Sequence, residues 1–120
     1  MDSILRTIKK MIGGVDDDNF TGFDTDLIIH INTALRILNQ LGVGVRGFNL
    51  TGLDETWSQF LGADENMLSE VKTYVYLKVR LLFDPPASSF TQQAIKDELK
   101  ELEWRMNVEV DPRLEDSDEP

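Results

Sequence analysis

The residues that could do chemistry in this chain of 120 amino acids are few and scattered. The most suggestive run is Asp16-Asp17-Asp18-Asn19, because a calcium-binding loop takes carboxylate and amide oxygens as ligands at every second position. A loop that begins at Asp17 requires a bidentate glutamate at its twelfth position, where this chain has Ile28. The run is therefore interpreted as a solvated turn before a helix rather than as a calcium site.

His30 is the single histidine, and the chain has no cysteine, so a zinc site or a catalytic triad would lack companion residues. A partly buried structural histidine is the favoured interpretation. Acidic side chains are plentiful, but no aromatic-lined cleft can be read around any pair of them. The sequence thus predicts that the protein is not an enzyme and that it uses no cofactor or metal.

The charge of the chain is strongly negative, with a formal net charge of −10. Residues 109–120 carry six acidic side chains and one basic one, which accounts for −5 of that total. An acidic body repels phosphate, so sequence-independent binding of nucleic acid is disfavoured, and no specific binding of nucleic acid is expected either. No apolar run approaches the roughly 20 residues needed to span a bilayer, and residues 1–3 do not resemble the start of a signal peptide.

Apolar residues recur at helical spacing in every long segment, which predicts an all-α protein with four main helices and one short helix. Asp24, Asp54 and Ser89 are predicted to cap three of these helices, and Ser89 with Gln92 has the spacing of a capping box. The predicted helices cover residues 4–12, 25–41, 55–61, 67–83 and 89–106.

The last two predicted helices form a hairpin, because Pro85 and Pro86 cannot continue a helix. One narrow apolar seam follows the final helix, while Glu101 and Arg105 are spaced for an i,i+4 ion pair. The seam consists of Ile95, Leu99, Leu102 and Met106. Residues 1–110 are thus predicted to form one helical domain, and the acidic residues 111–120 to be a flexible, disordered tail.

Several apolar or charged residues are candidates for contact with another chain. Trp104 lies opposite the seam, where it is either packed by the returning tail or presented to a partner. Lys78 falls within an apolar arc, where a lysine either extends its ammonium to solvent, pairs with a carboxylate, or contacts another subunit. Residues 42–53 alternate apolar residues with glycine and polar residues, as a mobile loop or a short extended segment would. The candidate interface residues are Ile29, Val43, Val45, Phe48, Leu50, Lys78, Trp104 and Val108.

A resemblance to a known family is carried by residues 72–86, whose sequence is KTYVYLKVRLLFDPP, and it continues through Ser89-Phe90-Thr91 and residues 103–108. These residues resemble the head–tail connector family of tailed bacteriophages and of prophages in Gram-positive bacteria. The resemblance extends over roughly residues 1–112 and includes the WSQFLG stretch at residues 57–62.

The resemblance implies a structural role in the virion. Proteins of this family assemble as a ring beneath the portal, extend the DNA channel and offer a docking surface to the tail. The implied partners are the portal protein, other head–tail joining proteins and further copies of the chain, in the host cytoplasm during assembly. DNA would only pass through, no membrane is involved, and the family has no catalytic residues to carry over.

Two other classes of function remain open at this point. An acidic helical regulatory module that binds a basic protein partner would share the charge and the lack of catalytic residues. A small hydrolase would need a pocket that contains carboxylates with shifted pKa values.

Overall fold

The computed structural model describes residues 3–13 and 21–118, with side chains described as far as Val110. Within these residues the protein is all-α, as predicted, and no strand is present; one isolated bridge joins Ser3 to Thr56. The elements are α1 (Ile4–Ile12), α2 (Asp24–Gln40), α3 (Trp57–Leu61), a 3-10 helix (Gly62–Met67), α4 (Leu68–Phe83) and α5 (Ser89–Asp118).

The central element of the bundle is α4, which packs against α2 and α5 and also contacts α1. Its sequence is apolar around most of its circumference, as expected for a helix covered from several sides. Four of its side chains are buried: Val71, Tyr74, Val75 and Val79. Because α2 and α5 share no extensive contact with each other, their outward faces are separate surfaces of the subunit.

The contact between α1 and α2 includes an ion pair that the sequence did not suggest. Lys9 is almost fully buried, and its Nζ lies 3.0 Å from Oδ1 of Asp24. The predicted capping role of Asp24 is wrong: the helix begins at Asp24 itself, and Phe23 precedes it without a side-chain cap. Asp24 instead supplies the carboxylate beside the buried ammonium of Lys9, a charge that would be strongly unfavourable without a partner.

A capping box that the sequence analysis missed starts α3. The Thr56 hydroxyl accepts a hydrogen bond from the Gln59 N–H at 3.1 Å, and the Gln59 side chain accepts one from the Thr56 N–H at 3.0 Å. The helix therefore begins at Trp57, and the predicted start after Asp54 is wrong. Reciprocal satisfaction of two backbone donors by Thr56 and Gln59 explains this register.

Replacement of Thr56 by alanine should lower the free energy of unfolding by about 1 kcal/mol, because the Gln59 N–H loses the Thr56 hydroxyl as its acceptor. Urea denaturation followed by far-ultraviolet circular dichroism measures the change. Ser69→Ala, an exposed change inside α4, is the matched control and should stay within about 0.5 kcal/mol. Equal stability of the Thr56 variant and the unaltered chain would contradict the assigned cap.

The hairpin between α4 and α5 is present, but its cap differs from the prediction by one residue. Ser88, rather than Ser89, accepts the N–H of Thr91 at 3.3 Å. Gln92 donates from its side chain to the Pro86 carbonyl at 2.6 Å, so it closes the turn and does not complete a capping box. Two adjacent serines are equivalent in sequence, and only the path of the turn selects between them.

The predicted seam of α5 is correct and continues for one more turn. Leu99, Leu102 and Met106 are buried, and Val110 is buried as well, against the backbone of Gly42. Packing of Val110 helps explain why the helix passes its predicted end near Met106; it runs to Asp118. The side chains of residues 111–120 lie outside the described part of the chain, so the flexible tail stays a prediction.

The remaining predictions about α5 and the membrane can also be compared with the structure. Glu101 and Arg105 form the predicted i,i+4 ion pair, with 2.7 Å between Arg105 Nη2 and Glu101 Oε2. None of the helices in the described residues is both long enough and apolar enough to span a bilayer.

Candidate interaction surfaces

The outward face of α5 carries an exposed apolar pair, Trp104 and Val108, which we name the Trp104 patch. Trp104 is 67% exposed, and Val108 lies one turn further along and is also exposed. Trp104 and Val108 share one helix face because they are four residues apart. That face is opposite the buried seam, because each of the two stands two residues from a seam position, which is just over half a turn of the helix. The predicted outward position of Trp104 is therefore the observed one; its role in an interface stays a prediction.

A second exposed apolar surface involves α2 and the loop that follows it. Ile29 is 56% exposed on α2, whereas Ile28 and Ile31 lie in or against the core. Val45 is exposed in the loop, although its backbone N–H is held by the Phe60 carbonyl at 2.7 Å. Two candidate surfaces thus lie on different helices that flank α4.

Three of the candidate residues in the loop belong to the core of the subunit. Val43 and Leu50 are buried, and Phe48 is partly buried with its ring centroid 5.5 Å from that of Phe60. This corrects the expectation that residues 42–53 supply contacts that the core does not need. Val43 and Leu50 are therefore not free to meet another chain, whereas Phe48 packs on Phe60 with one part of its side chain and keeps another part accessible.

The loop is also anchored by hydrogen bonds from residues that are distant in the sequence. The Asn32 side chain accepts the Leu50 N–H at 2.7 Å and donates to the Leu50 carbonyl at 3.0 Å. The Asp64 side chain accepts the N–H of Gly44 at 2.9 Å. These two clamps hold both ends of an irregular segment that has no ladder of its own.

The α2 groove, as we name it, is a concavity of about 680 Å³ between the exposed face of α2 and this loop. Its wall contains two arginines, Arg36 and Arg46, and no acidic residue. Neither arginine forms an ion pair or hydrogen bond with another of the described residues. The groove is lined by Ile29, Asn32, Thr33, Arg36, Asn39, Gln40, Arg46, Gly47, Phe48 and Asn49.

Lys78 lies in a smaller groove of about 330 Å³ between α4 and α5, which we name the lysine groove. Lys96 and Lys100 of α5 line the same groove, above the apolar side chains of Leu81 and Leu99. Lys78 is partly buried and forms no ion pair with another described residue. This fits a lysine whose alkyl chain lies along the apolar side chains of the groove.

One acidic residue, Glu103, borders the lysine groove and is held by α4. The Tyr74 hydroxyl donates a hydrogen bond to Glu103 at 2.7 Å. Burial raises the pKa of the Tyr74 hydroxyl well above its ordinary value, and the hydrogen bond and charge of Glu103 raise it further. The phenol therefore stays protonated and links α4 to α5.

The residues considered for catalysis or metal binding do not form a site in the part of the chain that the structure describes. No group of histidine and acidic side chains there could hold a metal ion. His30 is partly buried with its ring 6.5 Å from that of Phe83, which fits the structural interpretation. The acidic run at residues 16–19 lies outside the described residues.

Sequence reasoning missed the α2 groove and the exposure of Phe90. Arg36 and Arg46 are separated by the end of α2, and only the fold of the loop brings them to one wall. Phe90 is largely exposed at the start of α5, four residues after Pro86. The exposure of Phe90 could have been predicted, because residue 90 precedes Ile95, the first residue of the apolar seam by which the helix packs on the core.

Comparison with known proteins gives one finding for nearly the whole chain. A family model described as phage connector protein matches residues 4–113. No individual curated protein and no solved structure gives a significant match to the sequence. The matched residues begin with α1 and extend beyond the last described side chain, so they include both grooves and the Trp104 patch.

Proposed function

This chain belongs to the phage connector protein family, and on that premise we propose that it forms a ring beneath the portal that extends the DNA channel and docks the tail. The family assignment supports a structural role in the phage particle. The ring, its place beneath the portal and its contact with the tail are our inference. Portal protein and other head–tail joining proteins are the proposed partners.

The observation that carries the proposal is the presence of exposed apolar residues on two separate surfaces of one subunit. Trp104 and Val108 lie on α5, Ile29 lies on α2, and these helices pack on α4 without extensive contact with each other. A ring built head to tail requires two different, complementary surfaces on each subunit. Large apolar and aromatic side chains that remain exposed in a monomer favour such contacts.

The charge of the chain supports the proposed relation to DNA. A net charge of −10 repels the phosphate backbone, so a ring of such subunits allows the duplex to pass without adhering. The same charge opposes self-association of the free chain at low ionic strength. Ring formation should therefore depend on the portal as a template.

The proposed function is tested by mixing the purified chain with portal-bearing capsids and sedimenting the particles. The chain should sediment with capsids that carry a portal and stay in solution with capsids that lack one. Electron microscopy of the particles should show added density beneath the portal. Stable one-to-one binding to a basic protein, without affinity for portals, would favour the regulatory module instead.

Replacement of Trp104 by alanine should weaken assembly on the portal by on the order of 2 kcal/mol, because an exposed indole of this kind often dominates an interface. Co-sedimentation over a range of chain concentrations measures the shift. Trp104→Phe is the matched control and should retain most of the assembly, since it keeps an aromatic side chain. A Trp104→Ala chain that assembles normally would exclude the Trp104 patch from the interface.

A further inference from the structure

The α2 groove presents two arginines and no acidic residue in a protein whose net charge is −10. Arg36 comes from α2 and Arg46 from the loop, and the wall between them contains carboxamides, including Asn39 and Gln40, but no carboxylate. Both arginines are exposed, and neither forms an ion pair with a described residue. A guanidinium donates two parallel hydrogen bonds to a carboxylate, so the groove fits an acidic ligand.

The groove also has an apolar part, which narrows the class of ligand. Ile29 is exposed on one side, and Phe48 lies on the other, partly buried against the core. A suitable ligand therefore combines carboxylates with at least one apolar side chain. Residues 111–119 of this same chain have the sequence DPRLEDSDE, with five carboxylates, one arginine and a leucine at position 114.

The start of that acidic segment is fixed close to the loop that forms the groove. Val110 is buried against Gly42, at the beginning of the loop, and Glu109 accepts a hydrogen bond from Asn66 at 2.7 Å. The backbone then continues as helix to Asp118. At 1.5 Å per residue, this extension carries the acidic residues roughly 12 Å beyond Val110. Because α5 is one continuous helix as far as Asp118, the chain does not reverse its direction within this extension.

We propose that the α2 groove of one copy binds the acidic C-terminal segment, residues 111–119, of a second copy. Arg36 and Arg46 pair with its carboxylates, and Leu114 packs against Ile29 and Phe48. The inference rests on the proposed function, because a ring places a second copy beside each subunit. It gives the acidic end of the chain a role as an arm between neighbouring subunits.

The test uses the full-length chain and a fluorescent peptide of residues 109–120, with binding measured by anisotropy at low ionic strength. The unaltered chain should bind the peptide, and the Arg36→Glu/Arg46→Glu chain should bind it at least about tenfold more weakly. The matched control is Lys96→Glu/Lys100→Glu, which changes the net charge equally but alters the lysine groove. That control should bind the peptide more tightly than the Arg36→Glu/Arg46→Glu chain does.

A charge-exchanged peptide separates a specific site from general attraction. Lysine replaces the acidic residues in this peptide, which should bind better to the Arg36→Glu/Arg46→Glu chain than to the Lys96→Glu/Lys100→Glu chain. All four substituted residues are exposed, so circular dichroism should give similar melting curves for the two variants. If the arginine variant fails to fold, Arg36→Gln/Arg46→Gln, which removes the two charges without reversing them, replaces it, with Lys96→Gln/Lys100→Gln as its control.

Four results would overturn the proposal. Absence of peptide binding, or equal binding by the arginine variant and its control, would exclude the α2 groove as the site. Much tighter binding by a Glu115→Gln/Asp116→Asn/Asp118→Asn chain would show that each chain already fills its own groove. Displacement of the peptide by duplex DNA, dependent on Arg36 and Arg46, would assign the groove to phosphate. Peptide binding by a chain that ignores portals would instead refute only the proposed function.

Discussion

Replacement of Trp57 by alanine should lower the free energy of unfolding by about 3–5 kcal/mol, because it opens a large cavity in the core. The indole is completely buried, and its Nε1–H donates a hydrogen bond to the Thr7 hydroxyl at 3.1 Å. Loss of that bond also removes a direct link between α3 and α1. Since small domains are stable by only about 5–15 kcal/mol, this one change should consume much of the total.

The chain contains a natural control for this prediction in its second tryptophan. Trp104 is exposed, so Trp104→Ala should change the free energy of unfolding by less than about 0.5 kcal/mol. Urea denaturation followed by circular dichroism suits both variants, because each removes one of the two tryptophans on which a fluorescence signal would depend. Trp57→Phe should lose less than Trp57→Ala, since it refills most of the cavity. Similar losses for the two alanine variants would contradict the assigned burial.

Replacement of Gly44 by alanine should be nearly as disruptive, at about 2–5 kcal/mol, because backbone strain and overpacking add at one position. Gly44 has a φ of +84°, in the left-handed region that side chains disfavour. A Cβ atom built there would lie only 2.3 Å from Cζ of Phe60. Either the Phe60 ring or the loop must move, and the Asp64 clamp on the Gly44 N–H opposes movement of the loop.

Gly47 separates the two causes, because it has a similar φ of +80° and no atom within 4 Å of a built Cβ. Gly47→Ala should therefore cost only the backbone strain, roughly 1–2 kcal/mol. The difference between the two variants, measured by urea denaturation, reports the contact of Gly44 with Phe60. Equal destabilisation by both changes would mean that the Phe60 ring yields freely.

The helices could be predicted from the sequence because their determinants are local. The seam of α5 and the apolar circumference of α4 follow from the spacing of apolar residues alone. Pro85 ends α4 whatever the tertiary contacts are, because proline cannot continue a helix. The exact first residue of a helix was harder to predict, because two residues that could cap it lie close together in the sequence. Ser88 and Ser89 are equally suitable, and Thr56 competes with Asp54.

The candidate surfaces could be predicted only where a helix face decides exposure. Ile29 and Trp104 lie outward because the opposite faces of their helices are apolar. Val43 and Leu50 could not be assigned, since an irregular loop has no period that separates an inner side from an outer one. Their burial depends on partners far away in the sequence, such as Asn32 on α2.

The two clamps fix the loop at two positions, Gly44 and Leu50, and leave most of the residues between them on the surface of the groove. Asn32 holds Leu50 and Asp64 holds Gly44, so residues 45–49 form a cassette between two fixed points. This cassette supplies Arg46 and Phe48 to the wall of the α2 groove. During evolution its exposed positions, such as Arg46, can therefore change while the helices that carry the clamps retain their arrangement.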